Sequence, residues 1–424
     1  MTNTMRFALA GLALLSAAPL AAQLPNTSAA ATALGGNYTA RARGYEAITW
    51  NPALLAAANR PSFSIGLMMA GGTSGLDPID LSDLDAYSGQ VVPSTVKAAW
   101  MQQVRAAGAQ RGDADGGFTP IAFNIGNFGF QYSATAYASA SLNPDAMEAL
   151  LYGNVDDDGA TRNYAFDGSS LDFGALSTVA ASYAKAIPLK LTPLPNEHFS
   201  IGVTAKYIVG HVVARAQDNG STTSGDQVRV NFPVVHSDVE NGAANGSGIG
   251  LDVGAAWSAG GWRLGGMLSN IVNTFEWDAS KMVYRPGEAF FSSDSSSSNF
   301  DTTSYASAPA ALRDAVENQS FKPTLALGAA LDVLPILTLS ADMRATVGEA
   351  IEIGPREHIG VGAELKVIPF LPLRGGVAKI SDGYQIAGGF GIALGRYELG
   401  VGATYRNRGE GSAAGLTINA VTVR

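Results

Sequence analysis

The 424-residue sequence has no cysteine and only four histidines. Disulfides, thiolate catalysis and cysteine-ligated metals are therefore excluded. His198, His211, His236 and His358 are scattered, and none makes the His-Glu-x-x-His or a comparable ligand spacing that a zinc enzyme requires. No pattern pairs a serine or threonine nucleophile with a histidine base, so the chain reads as a non-enzyme that needs no cofactor. Charge is also scarce, at 15% of residues, where soluble domains carry about 25%. The formal net charge is −9 and no basic tract offsets it, which argues against a nucleic-acid partner. Past the N-terminal segment there is no uncharged apolar run long enough for a transmembrane helix.

Glycine, by contrast, is abundant: 50 residues of 424, against a usual share of about 7%. Residues 1–22 read as a secretory signal peptide. Arg6 supplies the positive end, residues 7–15 the apolar core, and Leu20-Ala21-Ala22 a small-residue cleavage site before Gln23. No cysteine follows the site, so a lipoprotein is not expected.

The C-terminal hundred residues repeat one pattern. Leu325, Leu327, Ala329 and Leu331 alternate with Thr324, Ala326, Gly328 and Ala330. Ile359, Val361, Ala363 and Leu365 alternate with His358, Gly360, Gly362 and Glu364. A period of two over about ten residues is a strand with one apolar and one polar face. Here the polar face is charged and glycine-rich, which suits a wall with lipid outside and a crowded or watery lumen inside. The expected fold is all-β: a transmembrane antiparallel barrel of about fourteen strands over residues 61–424, with an N-terminal plug segment over 23–60 inside it.

The joints between strands give a separate indication. Those at 126–127, 334–335, 368–370 and 395 are short, whereas those at 70–120, 141–170, 214–245 and 273–323 are long. Short periplasmic turns and long external loops segregate in this way in outer-membrane barrels. A soluble periplasmic β-sandwich is disfavoured by the same asymmetry. Within the long joints, residues 81–107 and 308–318 are helix-compatible and residues 292–298 form a serine-rich flexible stretch. Residues 228–234 and 275–284 read as external extensions of hairpins.

The segment before the barrel carries Gly35-Gly36-Asn37-Tyr38-Thr39-Ala40, then Gly44-Tyr45-Glu46-Ala47, then Trp50-Asn51-Pro52-Ala53-Leu54-Leu55. From the residues alone, Asn51 and Pro52 initiate and cap a turn, and Gly35 and Gly36 permit close backbone packing. The succession also resembles the N-terminal segment of the FadL-type outer-membrane channels, the long-chain fatty-acid and aromatic-hydrocarbon transporters with their PorV-like and uncharacterised relatives. The resemblance implies that Gly35, Gly36, Tyr38, Trp50, Asn51, Pro52 and Ala53 belong to a plug folded inside the barrel. It implies a monomer among the lipids of the outer membrane of a Gram-negative-type bacterium. The function it implies is uptake of hydrophobic small molecules, fatty-acid-like or aromatic, which would lodge between apolar loop residues and the plug. The alternative is a non-transporting barrel that partners a secretion or surface-assembly system, with the external loop at 70–120 as its protein-binding surface.

Eight charged residues fall on expected inward faces: Asp252, Asp332, Asp342, Arg344, Glu364, Lys366, Arg396 and Glu398. They either pair across neighbouring strands and stiffen the wall, or line a polar pore or headgroup site. Asn154, Asp156 and Asp158, with Gly159, match the front half of a calcium loop, but the twelfth position is Ala165 rather than a bidentate acid; a solvated acidic loop tip is the alternative. Tyr132, Tyr183, Tyr207, Trp257, Trp262, Tyr397 and Tyr405 are candidates for interfacial aromatic girdles.

Overall fold

The structure, a computed structural model, describes residues 27–154, 160–238, 242–346, 355–381, 383–408 and 411–423. The expected signal peptide over residues 1–22, and Asp156 and Asp158 of the calcium-like loop, lie outside these residues.

Fourteen antiparallel strands form a closed barrel. They are β1 (Phe63–Asp77), β2 (Gln110–Ile125), β3 (Phe128–Leu142), β4 (Ser170–Ile187), β5 (His198–Gln217), β6 (Gly246–Ala259) and β7 (Trp262–Asn273). The second half comprises β8 (Thr324–Leu334), β9 (Leu337–Thr346), β10 (Glu357–Ile368), β11 (Leu371–Ile380), β12 (Gly383–Leu394), β13 (Tyr397–Arg408) and β14 (Gly411–Val423). Each strand pairs with the next, and β14 returns to β1 with Val423 opposite Ile65. Closure leaves no unpaired edge, a requirement for a sheet that crosses lipid. No helix among the described residues is long and apolar enough to cross a membrane.

The alternation sets the two faces. Leu325, Leu327, Ile359, Val361, Leu373, Val377, Ile386 and Leu399 are exposed on the outside, while Ala326, His358, Glu364, Ala378 and Gln385 are buried within. An outward apolar band with a polar interior is the pattern of a transmembrane barrel. Of the expected girdle residues, Tyr132, Tyr183, Tyr207, Trp262, Tyr397 and Tyr405 are exposed. Trp257 is partly covered and donates its indole N–H to Glu197 at 2.7 Å.

The strands at the long-loop end run further than the apolar alternation suggests. β1 and β2 stay paired from Phe63↔Ile125 to Asp77↔Arg111, so much of the joint expected at 70–120 is wall. The extension is rich in Gly and Asp and has no continuous apolar outer face, as expected where a strand rises beyond the lipid. The helix-compatible stretch at 81–107 is two helices, Leu81–Asp85 and Ser94–Ala107. They are broken by Gly89 at φ +73° and by Pro93, which caps the second. The stretch at 308–318 holds one helix, Ala310–Glu317. Part of the serine-rich stretch is ordered: Ser296–Asn299 pairs with Glu288–Phe291 at the edge of a five-stranded external sheet.

Candidate functional site

The lumen is filled in layers that can be read along β5 from the short-turn end. His198 Nε2 lies 2.6 Å from the Ala56 carbonyl, and Ser200 donates to the Ala53 carbonyl at 2.8 Å. Gly202 meets the Pro52–Ala53 peptide, and Thr204 donates to the Ile48 carbonyl at 3.5 Å. Next, Lys206 pairs with Asp252 at 2.6 Å, both side chains almost fully buried. Beyond that, Ile208 and Val213 join an apolar cluster with Phe275, Trp277, Leu312 and Phe321. Along β5 the N-terminal segment thus occupies the short-turn half, an ion pair the middle, and the inward-folded loop after β7 the mouth, whereas on the β12 side the segment reaches the long-loop end, where Gln385 donates to the Gly35 carbonyl at 3.0 Å.

The N-terminal segment is braced internally before it meets the wall. Ser28 caps the helix Ala29–Ala33 by accepting from the Ala31 N–H at 3.2 Å, and its hydroxyl donates to Glu46 at 2.6 Å. Tyr38 donates to the other Glu46 oxygen at 3.0 Å, so one buried carboxylate ties together three parts of the segment. Tyr38 also stands edge-on to Trp50, with ring centroids 5.7 Å apart.

The segment meets the wall through apolar packing, with Tyr45 and Ile48 against Met69, Ala122 and Ala180, and through hydrogen bonds. Asp342 on β9 accepts from the consecutive N–H groups of Tyr38 at 3.0 Å and Thr39 at 2.8 Å. Arg344 donates to the Gly36 carbonyl at 3.1 Å, and its guanidinium lies 5.0 Å from the centre of the Trp50 ring. Asn51 accepts from the Ala53 N–H at 3.1 Å, capping the 3-10 turn Pro52–Ala56, and donates to the Ala255 carbonyl on β6 at 3.0 Å. Arg41 reaches Glu364 at 2.8 Å. At the other end of the segment, Thr32 and Thr417 share a hydrogen bond of 2.8 Å.

The glycine richness follows from this fit. A Cβ on Gly265 would stand 2.6 Å from the Thr39 carbonyl, and one on Gly362 2.9 Å from that of Leu34. Gly202, Gly254, Gly376 and Gly402 likewise face segment atoms within clashing distance of a Cβ. Gly35 and Gly36 have φ of +66° and +83°, a region that costs other residues energy.

The candidate residues divide by role. Gly35, Gly36, Tyr38, Trp50, Asn51, Pro52 and Ala53 all lie in the segment inside the barrel. Asp342 and Arg344 hold that segment rather than each other. Asp252 pairs with Lys206, whose ammonium also meets Asn270 at 2.6 Å. Asp332 accepts from Arg263 at 2.7 Å. Glu364 is shared by Arg41, Lys366 at 3.0 Å and Arg374 at 2.7 Å, and Arg374 also reaches Glu398 at 2.9 Å. Arg396 is not on the wall: it lies exposed in the turn between β12 and β13. That turn is only Gly395-Arg396, so the alternation does not extend into it. Asn154 accepts from the Arg162 N–H at 2.8 Å through its backbone carbonyl. No metal-type cluster of His, Asp and Glu occurs among the described residues.

Lys206, Arg374, Arg41 and Glu46 were not singled out from the sequence. Arg374 follows the period of two in β11, with Pro372, Gly376 and Ala378 on the same face, and could have been found that way. Arg41 and Glu46 lie outside any strand, so no alternation marks them, and the element Gly44-Tyr45-Glu46-Ala47 does not indicate Glu46's partners.

The closed wall, apolar exterior and internal N-terminal segment define an outer-membrane β-barrel with an N-terminal plug. A profile of the family described as "F plasmid transfer operon, TraF, protein" matches residues 95–343, and the chain belongs to that family. Among solved structures, the chain is similar to the toluene transporter TodX of Pseudomonas putida, at 12% identity over 93% of this chain and 96% of that one, with a TM-score of 0.47. It is also similar to the toluene transporter TbuX of Ralstonia pickettii, at 12% identity over 95% and 99% of the two chains, with a TM-score of 0.48. A Pseudomonas aeruginosa FadL homologue matches at 14% identity over 96% and 99%, with a TM-score of 0.47. No curated protein sequence matches the chain.

Proposed function

We propose that the barrel admits hydrophobic small molecules, fatty-acid-like or aromatic, across the outer membrane past a displaceable plug. The observation that carries this is how the plug is seated. Asp342, Arg344, Asn419, Ser200 and His198 hold it through hydrogen bonds to its backbone. Water can replace such bonds when the segment shifts, at about 0.5–1.5 kcal/mol each for the neutral pairs and about 1.5–3 kcal/mol for those to Asp342 and Arg344. The apolar cluster of Phe275, Trp277 and Phe321 at the mouth would receive an apolar ligand before it reaches the plug. Diffusion down a gradient suffices, and no cofactor enters.

The family description favours a second reading, in which the barrel is a non-transporting partner of a secretion or surface-assembly system. The helices Ser94–Ala107 and Pro144–Tyr152 pack together on the long-loop side through Trp100, Met101, Val104 and Met147 and would offer the protein-binding surface.

The test is uptake of a panel of alkanoic acids and monoaromatics into liposomes, comparing the intact protein with one lacking residues 24–59. Saturable uptake that rises when the plug is removed supports passage. Neither binding nor flux in both proteins, together with a stably co-purifying protein, supports the partner role instead.

A further inference from the structure

At the short-turn end, on the far side of the plug from the mouth, lie two adjoining cavities of about 300 Å³ and 410 Å³. Both are lined by Arg41, Arg43, Arg263 and Asp332. The first extends to Arg60, and the second to Lys366, Arg374, Glu364 and Glu398. Six cationic side chains thus face three carboxylates, in a chain whose net charge is −9. Each carboxylate is already engaged. Asp332 is held by Arg263, Glu364 by Arg41, Lys366 and Arg374, and Glu398 by Arg374.

Three guanidinium donors remain over. Arg41 Nη1, Arg60 Nε and Arg263 Nε are buried without a hydrogen-bond partner, and the Arg41 side chain is only 9% exposed. The Arg43 side chain is exposed and makes no hydrogen bond or ion pair with the other described residues. A buried donor without an acceptor costs about 1–3 kcal/mol, and crowded like charges repel unless an anion lies between them. Planar guanidinium forks match the geometry of carboxylate and phosphate oxygens.

We propose that this vestibule binds a small oxyanion, a carboxylate or phosphate group, between Arg41, Arg43 and Arg263. The combined space takes such a group with a short organic remainder. The site opens on the side opposite the mouth, so it does not depend on whether hydrophobic molecules pass the plug.

Calorimetric titration of the purified full-length barrel in a non-ionic detergent tests this, with inorganic phosphate, octanoate and uncharged octanol as probes. Saturable binding of phosphate or octanoate, none of octanol, and weakening as sodium chloride is raised are expected. Phosphate binding alone identifies a free-phosphate type of ligand; octanoate binding identifies an organic carboxylate. Arg43→Gln should bind about tenfold more weakly, the equivalent of one charge-assisted contact. Asp332→Asn, which removes the competing carboxylate, should bind more tightly. Both residues are exposed to the vestibule rather than packed, so circular dichroism should show both variants folded. Absence of saturable anion binding, or equal affinity in both variants and the parent, would overturn the proposal.

Discussion

The side chain of Asn51 occupies the space that a Cβ on Gly254 would fill, bringing the amide of the plug's Asn-Pro-Ala turn against the bare backbone of β6. Plug and wall therefore interlock at the level of single atoms. Gly254→Val should expel Asn51 and break its bond to the Ala255 carbonyl while leaving the outer face of β6 intact. Hydrogen exchange across residues 28–57 should speed up by at least about tenfold, with strand content by circular dichroism unchanged. Unaltered protection would show that the fit at this point is dispensable.

The Asp342 carboxylate serves two backbone donors at once. Asp342→Ala leaves the Tyr38 and Thr39 N–H groups buried without their acceptor and should destabilise the plug by about 2–3 kcal/mol. Limited proteolysis of the reconstituted protein reads this directly: cleavage between Ser28 and Arg60 should appear in the variant and be absent in the parent.

The Lys206–Asp252 pair sits where neither charge can reach water. Lys206→Met alone strands a buried carboxylate and should cost about 3–5 kcal/mol in denaturant unfolding. The double variant Lys206→Met, Asp252→Leu should recover most of that loss. A double-mutant cycle with no coupling would show that the two charges are stabilised separately.

At the short-turn end, burial alone would raise the Glu197 pKa. Hydrogen bonds from the Trp257 indole, the Leu191 and Thr192 N–H groups and the Thr192 hydroxyl outweigh this and lower it below the ordinary glutamate value. A depressed folded pKa contributes stability that is present above the unfolded value and is lost as pH falls through the folded one. Trp257 fluorescence should therefore hold steady through the ordinary titration range of glutamate and change only in more acidic solution. Glu197→Gln should abolish that acid transition. A transition at the ordinary glutamate pKa would mean the turn is open in solution.

Much of the wall is legible in the sequence because the pleat is a local property. Large apolar residues alternating with small ones in residues 324–331 can place only one set of side chains in lipid, whichever strand lies beside them. The legible part ends where the lipid ends. The outer reaches of β1 and β2 are strands without an apolar face, and Arg396, two residues beyond β12, lies in the turn. The helices of the first long loop break at Gly89 and Pro93, but their packing through Trp100 and Met147 joins segments separated by a whole hairpin.

The interior followed a different rule. That charges would face inward could be read from the alternation. Their partners could not, because Asp252 meets Lys206 and Asp342 meets the Thr39 N–H only once strand register and plug position are set. A pair separated by 303 residues, as Thr39 and Asp342 are, leaves no mark on its own neighbourhood. The sequence by itself determined a two-faced wall, its strand count and a distinct segment ahead of it, since each depends on neighbours one or two residues away. Only the tertiary structure decided that the inward glycines make room for that segment, and that surplus arginines gather beneath it. Both depend on which distant surfaces closure of the barrel brings within hydrogen-bonding distance.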